Sequence, residues 1–337
     1  MSALPPHQHA VCLVLVLSSS TLACAGPAVA QGSRAESARD YPVKATRMIV
    51  PLAPGGGSDI VGRIVANALS ESWGQSVIVD NRPGAGSTVG TSIAAKAAPD
   101  GYTMLVSSSS IAMSPALYGN LDFDIRRDFA GVSLLAGQPS MLAVHSSVPA
   151  TSVKQLVAVA RAQPGKLSFG SAGIGSATHL GTELFNHTAN TRMLHVPYKS
   201  AGLATTALLS GETQVLLTNM ASVLPHAGSG KIRLLGISSA QRSPAAPDVP
   251  TIAEAGAPGY EFTTWYGMLM PAGTPRRIVA QVQADVAKVM QSPHVKSRLT
   301  AQGLEVYASR PAEFEAFLAS EVDKWGRVIR ATGVRAQ

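Results

Sequence analysis

Gly55, Gly56, Gly57, Ser58 and Asp59 follow the apolar run that ends Ile49-Val50-Pro51-Leu52 and precede a helical pattern. A strand, a glycine-rich turn and a helix start in that order expose unpaired N–H groups and the positive end of a helix dipole. That combination attracts an anion. Glycine lets the backbone approach a ligand closely, and Ser58 reads as the cap of the helix. Three further segments offer donors. Asn81-Arg82-Pro83-Gly84-Ala85-Gly86-Ser87-Thr88 again separates a strand from a helix. Ser107, Ser108, Ser109 and Ser110 set four hydroxyls at a strand end. Gly170-Ser171-Ala172-Gly173-Ile174-Gly175-Ser176 opens the helix that carries His179. One such turn is ordinary strand-to-helix geometry; several, in two parts of the chain, point to a shared anion site.

A nucleotide is one candidate anion. Gly55 and Gly57 give G-x-G, and Asp80 ends the next strand, where a ribose-binding acid would stand. The third glycine position is Ile60, however, and the turn from Gly170 to Gly175 has the wrong spacing with no acid ending the strand after it. A phosphate loop closing on Gly-Lys-Ser/Thr is also missing. An NAD(P)-dependent enzyme using Gly55, Gly57 and Asp80 is therefore the second reading. Signs of catalysis are weak: there is no G-x-S-x-G elbow and no poised acid–base pair. His179, Glu183 and His187 recur at a spacing of four and share one helix face, opposite Leu180 and Leu184. They read as a polar face, because no further ligands cluster with them and H-x-x-x-E is not a zinc motif. No metal, no cofactor and no enzymatic activity are expected.

The elements that must position these turns alternate. Strands at 45–51, 76–80 and 103–107 alternate with helices at 59–72 and 87–97. A second series has strands at 142–145, 167–170, 192–196, 215–218 and 232–238, with helices at 152–163, 177–187 and 202–210. Alternation of this kind indicates parallel βαβ units. A returning strand at 267–270 follows, then Thr274-Pro275 as a helix start, a helix to Gln291, and a last helix over 311–330. The last helix carries Phe314, Phe317, Leu318, Val322 and Trp325 on one stripe, read as core. The reading is an α/β protein of two lobes joined by crossing strands, with the ligand between them.

Composition narrows the class. Of 337 residues, 46% are hydrophobic and 14% charged, which suits a globular chain of two domains. The net charge is +7, but basic residues are scattered, no run exceeds a pair such as Arg126-Arg127, and aromatics are 5%. Nucleic-acid binding is not expected. Val11 to Leu17 is an apolar stretch, and Ala28-Val29-Ala30 forms an A-x-A site before Gln31. Residues 1–30 therefore read as a Sec-type signal peptide cleaved after Ala30, which places the mature chain in the periplasm. A lipid anchor at Cys24 is the lesser alternative, since Thr21 stands where a lipobox carries Leu. Cys12 and Cys24 are the only cysteines, so the mature chain would have no thiol or disulfide.

Stretches in order along the chain then carry a resemblance. They are VPLAPGGGSDIVGR at 50–63, NRPGAGSTVG at 81–90, PDGYTMLV at 99–106, GSATHLGTELF at 175–185, HVPYKSAG at 195–202, DVPTIAEAG at 248–256 and WYGMLMPAGTP at 265–275. From about Tyr41 to Ile329 the chain resembles the exported receptors of the tripartite tricarboxylate transporter family, the Bug-type solute-binding proteins.

The resemblance implies a two-lobed periplasmic binding fold, type II or Venus-flytrap, closing on a small organic (di)carboxylate. The ligand would be held by backbone amides, small hydroxyls and bridging waters. Lobe 1 would span 41–138 and 264–337, and lobe 2 would span 139–263. The hinge would lie near Gly137 to Ser140 and Phe262 to Trp265. Gly56, Gly57, Ser58 and Asp59 would form one jaw loop, and Gly84, Gly86, Ser87 and Thr88 its neighbour, with Ser108 beside the cleft. Ser171, Gly175, Ser176, His179, Tyr198 and Lys199 would come from the second lobe, and Trp265 from the re-entering strand. The implied partners are membrane subunits of a tripartite transporter or a sensor kinase, with the receptor itself monomeric. Two departures stand out. Ser200 replaces a glycine usual in the family. Gln214 and Thr218 replace two acids, which is expected to alter the second-lobe wall.

Overall fold

The computed structural model describes residues 41–335. The expected signal peptide, its cleavage site and Cys24 lie outside the described residues. The first elements are β1 (Thr46–Val50), α1 (Gly57–Trp73), β2 (Val77–Asn81), α2 (Thr88–Ala95), β3 (Thr103–Ser108) and α3 (Ser110–Tyr118). β1 lies between β2 and β3, parallel to both. Its side chains alternate between two cores. Met48 and Val50 pack with Val61, Ile64, Val65 and Leu69 of α1, whereas Ile49 joins Leu105 and Ile111 on the other face. A strand covered on both faces reads as a continuous apolar run, which is what Met48-Ile49-Val50 is. α1 forms because its apolar residues recur every three or four positions. It stops at Gly74, whose left-handed backbone (φ 65°) ends the helix.

β4 (Phe129–His145) is the long element of the fold. α4 (Val153–Ala162), β5 (Ser168–Ser171), α5 (Ala177–Thr188), β6 (Leu194–Pro197), α6 (Ala201–Ser210), β7 (Val215–Asn219), α7 (Met220–Val223), β8 (Ile232–Ile237) and α8 (Ile252–Ala255) follow. The chain closes with β9 (Thr263–Pro271), α9 (Arg276–Gln291), α10 (Pro293–Thr300), β10 (Glu305–Val306) and α11 (Pro311–Thr332). β5 lies between β6 and β7, parallel to both. Phe129 to Pro139 of β4 pair with β9, and Ser140 to Val144 pair with β7. Only the end of β4, 142–145, was expected as strand. Register shifts at Gly131/Ser133 and Leu134/Ala136 break its alternation, and bulges of this kind hide a strand from a period-two reading.

Strand directions fix where the turns meet. β9 runs antiparallel to both β3 and β4, so β4 points the same way as β1, β2 and β3. β7 runs antiparallel to β4, so β5, β6 and β7 point back. The carboxyl ends of the two parallel sets therefore face each other where β4 changes partners, between Pro139 and Ser140. This is the two-lobed α/β arrangement expected from the sequence.

α11 packs along α3, β4 and α5 and ties the two returning segments down. Glu321, 5% exposed, accepts at Oε2 from the indole N–H groups of Trp265 and Trp325, each at 3.0 Å. Its Oε1 accepts from Lys324 Nζ at 2.9 Å. Phe314, Leu318 and Trp325 are buried, with Phe317 and Val322 partly so, as the helical stripe required.

Two helix starts differ from expectation. The cap of α1 falls on Gly56, not Ser58, because the helix begins two residues earlier than the apolar pattern does. α9 begins after Pro275, and the Thr274 hydroxyl donates to the Pro271 carbonyl at 2.7 Å instead of capping.

Candidate functional site

The helix starts of the two parallel sets differ in one chemical respect. In the second set Ser152, Ser176, Ser200 and Asn219 each accept from a first-turn N–H of their own helix. In the first set α1, α2 and α3 begin at Gly56, Ser87 and Ser109 with no side-chain cap. A helix start leaves four N–H groups without intrahelical partners. The carboxyl ends of β1, β2 and β3 thus gather three uncapped N-termini.

Around α1 the loop is braced from one side. Asp59, 3% exposed, accepts from Gly55 N–H at 2.9 Å, Arg63 Nε at 3.0 Å and Asn81 Nδ2 at 3.0 Å. Burial alone would raise its pKa. The hydrogen bonds from Arg63, Gly55 and Asn81 outweigh it and hold the carboxyl below the usual carboxylate range. Asp59 thus shapes the turn, and Gly57 and Ser58 supply its free end. The Ser58 side chain is 1% exposed, and its Oγ has no hydrogen-bond partner.

Beside it, Gly84 to Thr88 forms a turn in which Gly86 (φ 61°) and Ser87 (φ 90°) take positive φ. Thr88 Oγ1 donates to Ala85 O at 3.0 Å. Ser87 Oγ is linked through Ser110 Oγ at 3.2 Å to Ser108 Oγ, 3.0 Å further on. This hydroxyl chain joins the second jaw loop to the end of β3.

Two tyrosines that the sequence reading passed over stand behind the glycines. A Cβ on Gly57 would lie 2.0 Å from Tyr266 Oη, and one on Gly86 would lie 2.3 Å from Tyr118 Oη. Alternation along β9 was the available signal: Trp265 and Tyr266 must face opposite sides of the sheet. Trp265 is the buried one, with its N–H on Glu321. At the site it offers backbone, since its carbonyl accepts from Ser109 N–H at 3.0 Å.

The second-lobe turn is held from within. Ser171 Oγ lies 2.6 Å from His195 Nε2 and accepts from Gly173 N–H at 3.0 Å. Ser176 caps α5 and donates to Gly173 O at 2.6 Å. His179 Nδ1 accepts from Gly175 N–H at 3.1 Å, so its proton sits on Nε2, 3.9 Å from Glu183 Oε1. Its ring stacks on His195 with centroids 3.8 Å apart, and His195 stacks on Phe169. Burial, and then the neighbouring His195, push the His179 pKa down to about 3. Among the described residues no three His, Cys, Asp or Glu gather as metal ligands.

Tyr198 Oη donates to Glu212 at 2.8 Å, and Lys199 is exposed with no ion pair among the described residues. Ser200 has a job as the α6 cap. Gln214 Oε1 accepts from Ser168 N–H and Oγ–H, both at 2.9 Å, so it braces β5. Thr218 is fully buried with its Oγ1 unpartnered. α3 reaches both sets of turns: a Cβ on Gly175 would touch Leu117 Cδ1 at 3.4 Å, and one on Gly86 would meet Tyr118. Asp80, which a ribose would need, is paired with Arg47 Nε at 2.8 Å and Arg82 Nε at 2.9 Å.

The fold is two-lobed, and uncapped helix starts and hydroxyls gather at one edge of it. Comparison with known proteins gives the family. Residues 61–334 match the family model described as the tripartite tricarboxylate transporter family receptor, and the chain belongs to that family. It is 36% identical over 301 residues to protein BugT of Bordetella pertussis, covering 89% of this chain and 92% of that one. Among solved structures it is similar to R. palustris Rpa4515 with adipate, at 33% identity and a TM-score of 0.76, covering 88% of this chain and 99% of that one. It is also similar to MatC from Rhodopseudomonas palustris with bound malate, at 30% identity and a TM-score of 0.72, covering 86% of this chain and all (100%) of that one. Nothing in these comparisons supports the dinucleotide reading.

Proposed function

We propose that the protein is a periplasmic receptor that captures a small organic dicarboxylate between its lobes and performs no chemistry on it. One observation carries this reading: three uncapped helix starts and a hydroxyl chain converge at one edge, opposite the turns of the second lobe. The N–H groups of Gly57 and Ser58 and the hydroxyls of Ser87 and Ser108 take one carboxylate. Gly175 and Lys199 approach the other end as the lobes close. Lobe 1 is 41–138 with 264–337, lobe 2 is 139–263, and β4 and the start of β9 form the hinge. The adipate and malate held by the two similar receptors support a dicarboxylate. The closed form is then what a transporter's membrane subunit or a sensor kinase reads.

A thermal-shift screen against mono-, di- and tricarboxylates, amino acids and NAD tests this. A ligand at a hundred times its Kd stabilises by about 2.7 kcal/mol, on the order of 5 °C for a chain of this size. A shift with a dicarboxylate and none with NAD is expected. A shift with NAD alone would overturn the proposal.

A further inference from the structure

Tyr266 has a phenol whose hydroxyl does nothing in the protein itself. The residue is 5% exposed, sits on β9 opposite Ser108, and has no hydrogen-bond partner among the described residues. Its Oη lies so close to the α1 start that a Cβ on Gly57 would come within 2.0 Å of it. The ring is buried but the Oη atom keeps some exposure, so this unpartnered donor is open to a partner that arrives from outside. Ser58, at the same helix start, is a second buried side chain whose hydroxyl lacks a partner. Burial pushes the phenol pKa up to about 12, so it remains a neutral donor.

We propose that Tyr266 is a ligand-binding residue: its Oη donates to the carboxylate held at the α1 N-terminus. This rests on the reading of the site as a carboxylate pocket. Gly57 is then glycine for a second reason, to admit the phenol. The Tyr266 hydroxyl joins the Gly57 and Ser58 N–H groups, which can only donate, and the Ser87 and Ser108 hydroxyls around that carboxylate. An ionised carboxylate turns two acceptor oxygens to these donors, where a carboxamide of the same shape turns only one.

The test is calorimetric titration of the wild-type protein and Tyr266→Phe with adipate and with malate, together with melting curves in the absence of ligand. Removing a hydroxyl with no partner in the protein should leave the ligand-free melting temperature unchanged or raised, while affinity falls about tenfold or more, as for a lost bond to a charged acceptor. A residue of purely structural importance would show the reverse. Equal affinity of the two proteins would overturn the role of Tyr266 and leave the carboxylate reading intact. A Tyr266→Phe protein that melts several degrees lower, or does not fold, would assign the hydroxyl a structural bond and overturn the proposal. No heat from wild type with either acid would overturn the role and the underlying reading together.

Discussion

Gly56 and Gly57 are adjacent glycines in one turn, and the structure assigns them opposite tolerance. At Gly56 the backbone has φ −78°, and a Cβ would meet only Ala53 O, at 3.4 Å. Alanine fits there. At Gly57 the Cβ would lie 2.0 Å from Tyr266 Oη, 2.7 Å from Cζ and 3.0 Å from Cε1. Ordinary contact needs more than 3.4 Å, so the helix start or the tyrosine must move by over an ångström. Overpacking of that kind costs about 1–3 kcal/mol. The better helix propensity of alanine returns up to ~1 kcal/mol. Gly57→Ala should therefore lose about 1–2 kcal/mol and melt a few degrees lower. Binding should suffer more, because whichever of the two moves takes a proposed donor, a first-turn N–H or the Tyr266 hydroxyl, out of hydrogen-bond range of the ligand. Melting curves and calorimetry with the dicarboxylate, run on Gly56→Ala and Gly57→Ala side by side, check this. If both variants melted and bound like the parent, the close packing of Tyr266 on α1, and the site built on it, would be refuted.

Three other outcomes follow from the same geometry. Glu321→Ala leaves two buried indole N–H groups without an acceptor, which should cost about 2–5 kcal/mol in chemical denaturation; Glu321→Gln, which keeps an acceptor oxygen, should cost clearly less. His179 stays neutral when folded down to about pH 3, whereas the unfolded chain takes up a proton near 6.5. The unfolded state therefore binds more protons in that window, and stability must fall as pH drops through it, by up to about 2 kcal/mol between pH 6.5 and 5. His179→Gln should show a shallower slope in denaturant melts across that range, with His195 supplying what remains. At the α6 cap, Ser200→Ala should cost ~1 kcal/mol and Ser200→Gly only a few tenths, which explains how serine and glycine can both serve there.

The sequence made the alternating βα plan and the glycine-rich turns legible, because parallel strands read as apolar runs and their turns need Gly and Ser. It did not make legible which donors stay free. Ser171, Ser176 and His179 read as site residues by type; what their type does not tell is that Ser171 Oγ lies on His195, Ser176 Oγ on Gly173 O and His179 Nδ1 on Gly175 N–H. Trp265 was legible as a marker of the returning strand, but the side chain turned toward α1 is that of its neighbour Tyr266. α3 was not legible: Ser107 to Ser110 read as four hydroxyls at a strand end, since they span the end of a strand and the start of a helix without an apolar break. Gln214 and Thr218 suggested an altered ligand wall. The structure gives Gln214 to β5 and leaves Thr218 fully buried.

A crystal structure of the protein grown with a saturating dicarboxylate tests the central claim most directly. The account expects closed lobes, with one carboxylate within hydrogen-bond distance of the Gly57 and Ser58 N–H groups and the other end facing the turn around Gly175 and Lys199. A carboxylate bound instead on Lys199 alone, with the α1 start empty, would contradict it.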